Sequence, residues 1–190
     1  MKYLKRMKSS APAVLLLILM YSGSALAQQG EESLLRQAQA AMEEGRYPDA
    51  ETLLNQEIAK NPDSAEAHYH LGLSYHQQFR LRDAILTYRK AIEINPNYDA
   101  PYINLGLAWI EGRRLDEASK VFQQVLELPD REESPASNHT LAHYNLAVIY
   151  NRQQQPEEAI KAVKAALAIS PEFEPAQELL ETMQTPEQPQ

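Results

Sequence analysis

The stretch Ala67 to Pro96, AHYHLGLSYHQQFRLRDAILTYRKAIEINP, decides the fold because the chain restates it at a fixed interval. Leu71, Gly72 and Tyr75 cluster at helical spacing on one segment, and Ala84, Tyr88 and Ala91 do so on a second that stops at Pro96. The unit is a helix-turn-helix. Shifted by 34 residues, the same chemistry returns as Leu105, Gly106 and Trp109, then Ala118, Phe122 and Val125, with Pro129 one residue early. Shifted back by 34, a weaker copy appears in Ala38, Ala41, Ala50, Leu54 and Pro62. A fourth copy, AHYNLAVIY from Ala142 to Tyr150 followed by Ala159, Val163, Ala166 and Pro171, arrives after 41 residues, so seven have been inserted before it.

A period of 34 with small residues where paired helices touch, aromatics beside them and a closing proline resembles the tetratricopeptide repeat family. The resemblance covers Glu31 to about Met183. The first copy departs from the pattern at Gln37 and Ala41, and Glu57 stands where Ala91 stands in the next copy. It is read as an atypical terminal repeat of the kind that stacked arrays need. The resemblance implies an all-α fold, a right-handed α-solenoid of four helix pairs closed by a C-terminal capping helix. Repeats are expected at about 31–64, 65–98, 99–132 and 140–173, within a domain spanning 28–184.

Composition agrees with one such unit: 44% hydrophobic residues and only six glycines in 190 suit helices. Residues 1–27 stand apart. Lys2, Lys5, Arg6 and Lys8 precede an apolar run from Ala13 to Tyr21, and Ala25-Leu26-Ala27 ends in the small-x-small pattern of a signal peptidase site. The expectation is export to a periplasm or equivalent lumen with the leader removed. An uncleaved anchor is the alternative, and only then would the chain meet a membrane directly; the apolar run falls short of the ~20 residues that a spanning helix needs. With no cysteine, disulfides, thiolate metal sites and a lipidated N-terminal Cys are all excluded. Losing four cations and no acid takes the formal net charge from −8 to −12. Such a chain repels phosphate backbones, which argues against nucleic acid as a partner.

Along the chain, helix pairs are expected at Ser33–Glu44 with Pro48–Lys60, Ala65–Gln78 with Leu81–Ile94, a helix to Glu111 capped by Asp99 or Asn97 with Leu115–Leu128, and Pro135–Gln153 with Pro156–Ile169. Gly45 and Gly112 are placed as helix stops, and Ser64 as a cap. The insertion PDREESPASN, Pro129 to Asn138, reads as a charged surface loop in which Ser134 and Pro135 start the next helix. An amphipathic segment at 174–183 reads as the capping helix, and 185–190 as a disordered tail.

In a stacked array the first helix of each pair lines a concave face. Leu71, Gly72 and Tyr75 are committed to packing, so their neighbours form the expected groove. These are Tyr69, His70, Leu73 and His76 with Gln77 in the second copy, and Ile103, Asn104, Leu107 and Ile110 with Glu111 in the third. Tyr144, Asn145, Val148 and Arg152 with Asn151 follow in the fourth. The resemblance implies that Asn104 and Asn145, with His70 at the same place, hydrogen-bond the backbone of a bound peptide. A primary amide can donate and accept at once, though an asparagine there could also be merely tolerated. Tyr69, Ile103 and Tyr144, with Leu73, Leu107 and Val148, give an apolar row one repeat apart, which marks a partner site unless helix neighbours or the chain's own tail cover it. Arg152 is the one cation of the set. The basic clamp with which family cochaperones hold an acidic C-terminal tail is therefore missing, and an apolar segment of another exported protein fits better.

No catalytic motif stands out. G-x-S-x-G and a Gly-rich phosphate loop are missing, and the Glu43-Glu44, Glu132-Glu133 and Glu157-Glu158 pairs read as helix-end or loop charges. His139 and His143 have zinc-compatible i, i+4 spacing, but packing explains them better, since His143 repeats His68 and no third ligand follows. Asn138-His139-Thr140 matches a glycosylation acceptor that a bacterial-looking leader discounts. The expectation is a non-enzymatic scaffold without cofactors or metals that binds a protein or peptide and helps assemble an envelope or membrane complex. The competing expectation is a self-associating, structural homo-oligomer.

Overall fold

The computed structural model describes residues 33–130 and 136–185. The leader, the lead-in before Ser33, Ser134-Pro135 and all of the tail but Thr185 lie outside the described residues. Among those described, every regular element is a helix: α1 Leu34–Glu43, α2 Tyr47–Lys60, α3 Ala65–Gln77, α4 Leu81–Ile94, α5 Asp99–Glu111, α6 Leu115–Val125, α7 Asn138–Arg152, α8 Pro156–Ile169 and α9 Glu174–Gln184. Each odd-numbered helix from α1 to α7 pairs with the helix that follows it, each pair packs on the next, and α9 packs on α8. This is an all-α solenoid of four pairs with a terminal helix.

Small residues set the close approach within pairs. A Cβ added at Gly72 would stand 2.5 Å from Tyr88 Cδ1, and one at Gly106 would stand 2.5 Å from Phe122 Cζ. Both rings are fully buried. The equivalent places in the outer repeats hold Ala38 with Leu54 and Ala147 with Val163, all buried. Where the small residue gains a methyl, the partner loses its ring, so summed volume at the seam stays nearly constant.

The turn inside each pair is built the same way four times. Gly45, Phe79, Arg113 and Gln154 have φ of +74°, +58°, +57° and +60°. At the second turn Phe79 N–H donates to His76 O (2.9 Å) and Arg80 N–H to Tyr75 O (2.9 Å), and equivalent bonds recur at the other three. These are the paired bonds of a Schellman motif, which satisfy the orphan carbonyls of the first helix. Gly112 stops α5 after Glu111 as expected, standing as its C-cap, while the left-handed residue of that turn is Arg113, one position on. The residue after each turn, Arg46, Arg80, Arg114 or Gln155, is the N-cap of the second helix and makes no side-chain cap bond. Arg46, Arg80 and Arg114 instead pair with an acid three residues on, Asp49, Asp83 and Glu117.

Ser33, Ser64 and Ser137 do cap, accepting from Arg36, Ala67 and Thr140 N–H at 3.3, 3.1 and 3.2 Å. Three expected boundaries move. Neither Asp99 nor Asn97 caps α5; the N-cap is Tyr98, and Asp99 lies inside the first turn. Helix α6 ends at Val125 instead of Leu128, because Glu127 and Leu128 N–H reach back three residues to Gln124 and Val125. Helix α7 starts at Asn138 with Ser137 as cap, not at Pro135. Asp130 pins that start, accepting from the Ser137 hydroxyl (2.9 Å) and from His139 N–H (3.2 Å). The insertion is correspondingly less superficial than its charge suggests, since Ala136, Ser137 and Asn138 are buried. Asn138 donates to Asp99 Oδ2 at 2.7 Å, tying α7 to α5.

The apolar interior has two clusters. One runs from Ala84 and Tyr88 through α5–α8 to Ala176 of α9. The other joins α1 and α2 to Ala67 and Leu71. Tyr75 packs against both.

Candidate functional site: the wall of first helices

Helices α1, α3, α5 and α7 touch one another in series as well as touching their own partners. They form a continuous wall, the inner one in a solenoid of this kind. The expected groove residues fall into three groups on it. Tyr69, His70, Leu73, His76, Asn104, Leu107, Ile110, Tyr144 and Val148 are half-buried; Ile103 and Asn145 are each only 8% exposed; Arg152 is exposed. Leu73, Leu107 and Val148 occupy one register position in successive repeats, and each keeps part of its surface in solvent.

Polar contacts stitch the wall. Gln39 Nε2 donates to His70 Nε2 at 2.9 Å, joining α1 to α3. That bond requires an unprotonated acceptor nitrogen, and burial lowers the His70 pKa, with Glu66 opposing. Asn104 spends its amide donors internally, on Tyr69 Oη (3.2 Å) and on Ala100 O (3.0 Å). It therefore does not donate and accept toward a guest as its chemistry alone suggests; its Oδ1 is the group left over. Asn145 likewise donates to Leu141 O at 2.8 Å within its own helix. His76 Nε2 lies 3.1 Å from Glu111 Oε1, and its Nδ1 lies 3.2 Å from the hydroxyl of Tyr88.

The two tyrosines of the wall are held by aromatics that the sequence did not single out. Tyr98 meets Tyr69 edge-on at 5.2 Å between centroids, and Phe173 meets Tyr144 edge-on at 5.5 Å. Both partners are the N-cap residues of the helix that follows, so their shared register was visible, but not their direction. Gln39 was also missed. It stands at the place of Leu73 and Leu107 in the atypical first copy, where no apolar residue signals the position. Among the described residues no group of three or more His, Cys, Asp or Glu could hold a metal ion, and no helix is long and apolar enough to cross a membrane. His139 Nε2 instead contacts Leu128 O at 2.8 Å.

Three family models described as Tetratricopeptide repeat match the chain, over residues 35–99, 75–134 and 140–173. No curated protein matches it. Among solved structures it is similar to MamA, with 26% identity over 78% of this chain and 83% of that one at a TM-score of 0.65. It is also similar to TTC0263, a thermophilic TPR protein in Thermus thermophilus, with 18% identity over 90% and 94% at 0.64. PilW, described as a widely conserved type IV pilus biogenesis factor, gives 22% identity over 79% and 66% at 0.67.

Proposed function

This chain belongs to the tetratricopeptide repeat family, and from that premise we propose that its inner wall holds a segment of a partner protein, making it a non-enzymatic adaptor. Repeat proteins of this architecture present extended concave surfaces for protein binding. One observation carries the proposal to this wall: Leu73, Leu107 and Val148 are apolar, partly solvent-exposed and one repeat apart. Rigid tyrosines flank that row at Tyr69 and Tyr144. Rings already fixed by Tyr98 and Phe173 lose little entropy when a guest packs on them. The oxygen of Asn104 adds an acceptor for a backbone N–H of the guest.

The same proposal has the chain exported with residues 1–27 removed, serving assembly of an envelope or membrane complex. The basic leader, apolar run and small-x-small ending support it. Photo-crosslinking in the native compartment tests the binding face. A photoreactive phenylalanine at Leu73, Leu107 or Val148 is expected to trap the same partner from all three positions. The exposed Thr52 of α2 serves as the outer control. Adducts from Thr52 and none from the inner row would defeat the proposal.

A further inference from the structure

Two cavities of this surface lie away from the inner wall. A cleft of about 440 Å³ lies between α4 and α6, floored by Ile92, Leu105, Trp109 and Val121 and edged by Arg89 and Lys120. A second, of about 320 Å³, lies between α6 and α8, where Leu126, Leu146 and Tyr150 make the floor and Lys161 the edge. The two are the same site one repeat apart. Ile92 and Leu126, Leu105 and Leu146, Trp109 and Tyr150, Glu117 and Glu158, and Lys120 and Lys161 occupy matching register positions. None of the twelve expected groove residues lines either cleft.

Charge selects the occupant. The acids of the first cleft are already neutralised: Glu93 pairs with Lys90 at 3.2 Å, and Glu117 pairs with Arg114, whose guanidinium lies over the Trp109 ring. Arg89 and Lys120 are exposed and form no ion pair among the described residues, although Lys120 still acts on Glu117 through space. In the second cleft Lys161 stands with Glu158 and His143, so the cationic edge belongs to the first.

We propose that these outer clefts form a second protein-binding site, taking an acidic, aliphatic-rich segment whose apolar side chains enter the clefts and whose carboxylates meet Arg89 and Lys120. It is independent of the inner wall. Two equivalent sockets on one rigid face let a single segment engage both, which raises affinity without any new type of contact.

Trp109 is the sole tryptophan of the chain and lies in the first cleft, so its emission reports occupancy. The full chain is titrated with the peptide acetyl-ELLEFD-amide and, for comparison, acetyl-KLLKFK-amide. The acidic probe should shift Trp109 emission saturably, and the basic one should bind about tenfold more weakly or worse. Arg89→Glu with Lys120→Glu should cost the acidic probe about tenfold, and raising salt to about 0.5 M should weaken it as well. Both sites are exposed, so an unchanged helical melting curve certifies the fold of that variant. Tyr69→Ala, on the inner wall, should leave the titration untouched, which separates failure here from failure of the inner site. No saturable response, equal binding of the two peptides, or an unaffected charge-reversal variant overturns the proposal. So does emission that shifts with protein concentration alone, since a second copy of the chain would then be the occupant.

Discussion

At the scale of single residues, the seam between paired helices is governed by volume. Gly106 has room for no Cβ because Phe122, itself fully buried, fills the space. Gly106→Ala should therefore destabilise by about 1–3 kcal/mol despite the better helix propensity of alanine. The same change in a Phe122→Val background should cost much less or become favourable, as Ala147 beside Val163 already illustrates. A double-mutant cycle by denaturant melting measures this, and simple additivity would refute it. The sequence displayed this seam openly, since Gly72, Tyr88, Gly106 and Phe122 recur at fixed spacing. It displayed the site less well. Asn104 reads as a peptide-binding amide until Tyr69, 35 residues earlier, is seen to take one of its donors. Local pattern reveals which groups share a face; it does not reveal which have already found partners across repeats.

At the scale of elements, the four inner turns share one backbone path but not one residue type. Glycine suits the left-handed position at Gly45, whereas Phe79, Arg113 and Gln154 adopt it at a steric cost. Phe79 is 86% exposed, so it recovers nothing by burial in the isolated chain. Phe79→Gly should stabilise by about 1 kcal/mol, read as a raised melting temperature. A lowered melting temperature would show that the ring has a role in the folded chain. Arginine contributes to the same turns: Arg80 lies 4.2 Å above the Tyr75 ring and Arg114 lies 5.5 Å above Trp109, where a Schellman motif commonly has an apolar contact. Gly112 marked the end of α5 correctly, but the left-handed residue of that turn is Arg113, which no glycine announces. Pro135 drew the start of α7 forward, whereas Asp130 and Ser137, seven residues apart, fix it through a bond that no periodicity encodes.

At the scale of the whole molecule, the repeat count, the order of the pairs and the terminal α9 all followed from spacing, because each unit touches only its neighbours and so repeats its sequence with its structure. The division of the interior did not. It falls inside the second repeat, where Tyr75 spans both apolar clusters while Arg80 reaches Glu51 at 2.8 Å and Ser74 donates to Tyr47 O at 3.0 Å. Tyr75→Ala should weaken this joint by roughly 2 kcal/mol. Amide exchange in α1 and α2 should then accelerate well before that in α5–α8. Uniform acceleration along the chain would mean that the joint has no special standing. Because Gln39 clasps His70 across the same joint, a guest lying along the inner wall would tighten a hinge at the far end of its footprint. Its arrival would be legible as slowed deuterium uptake in the opening helices, including backbone that it never touches.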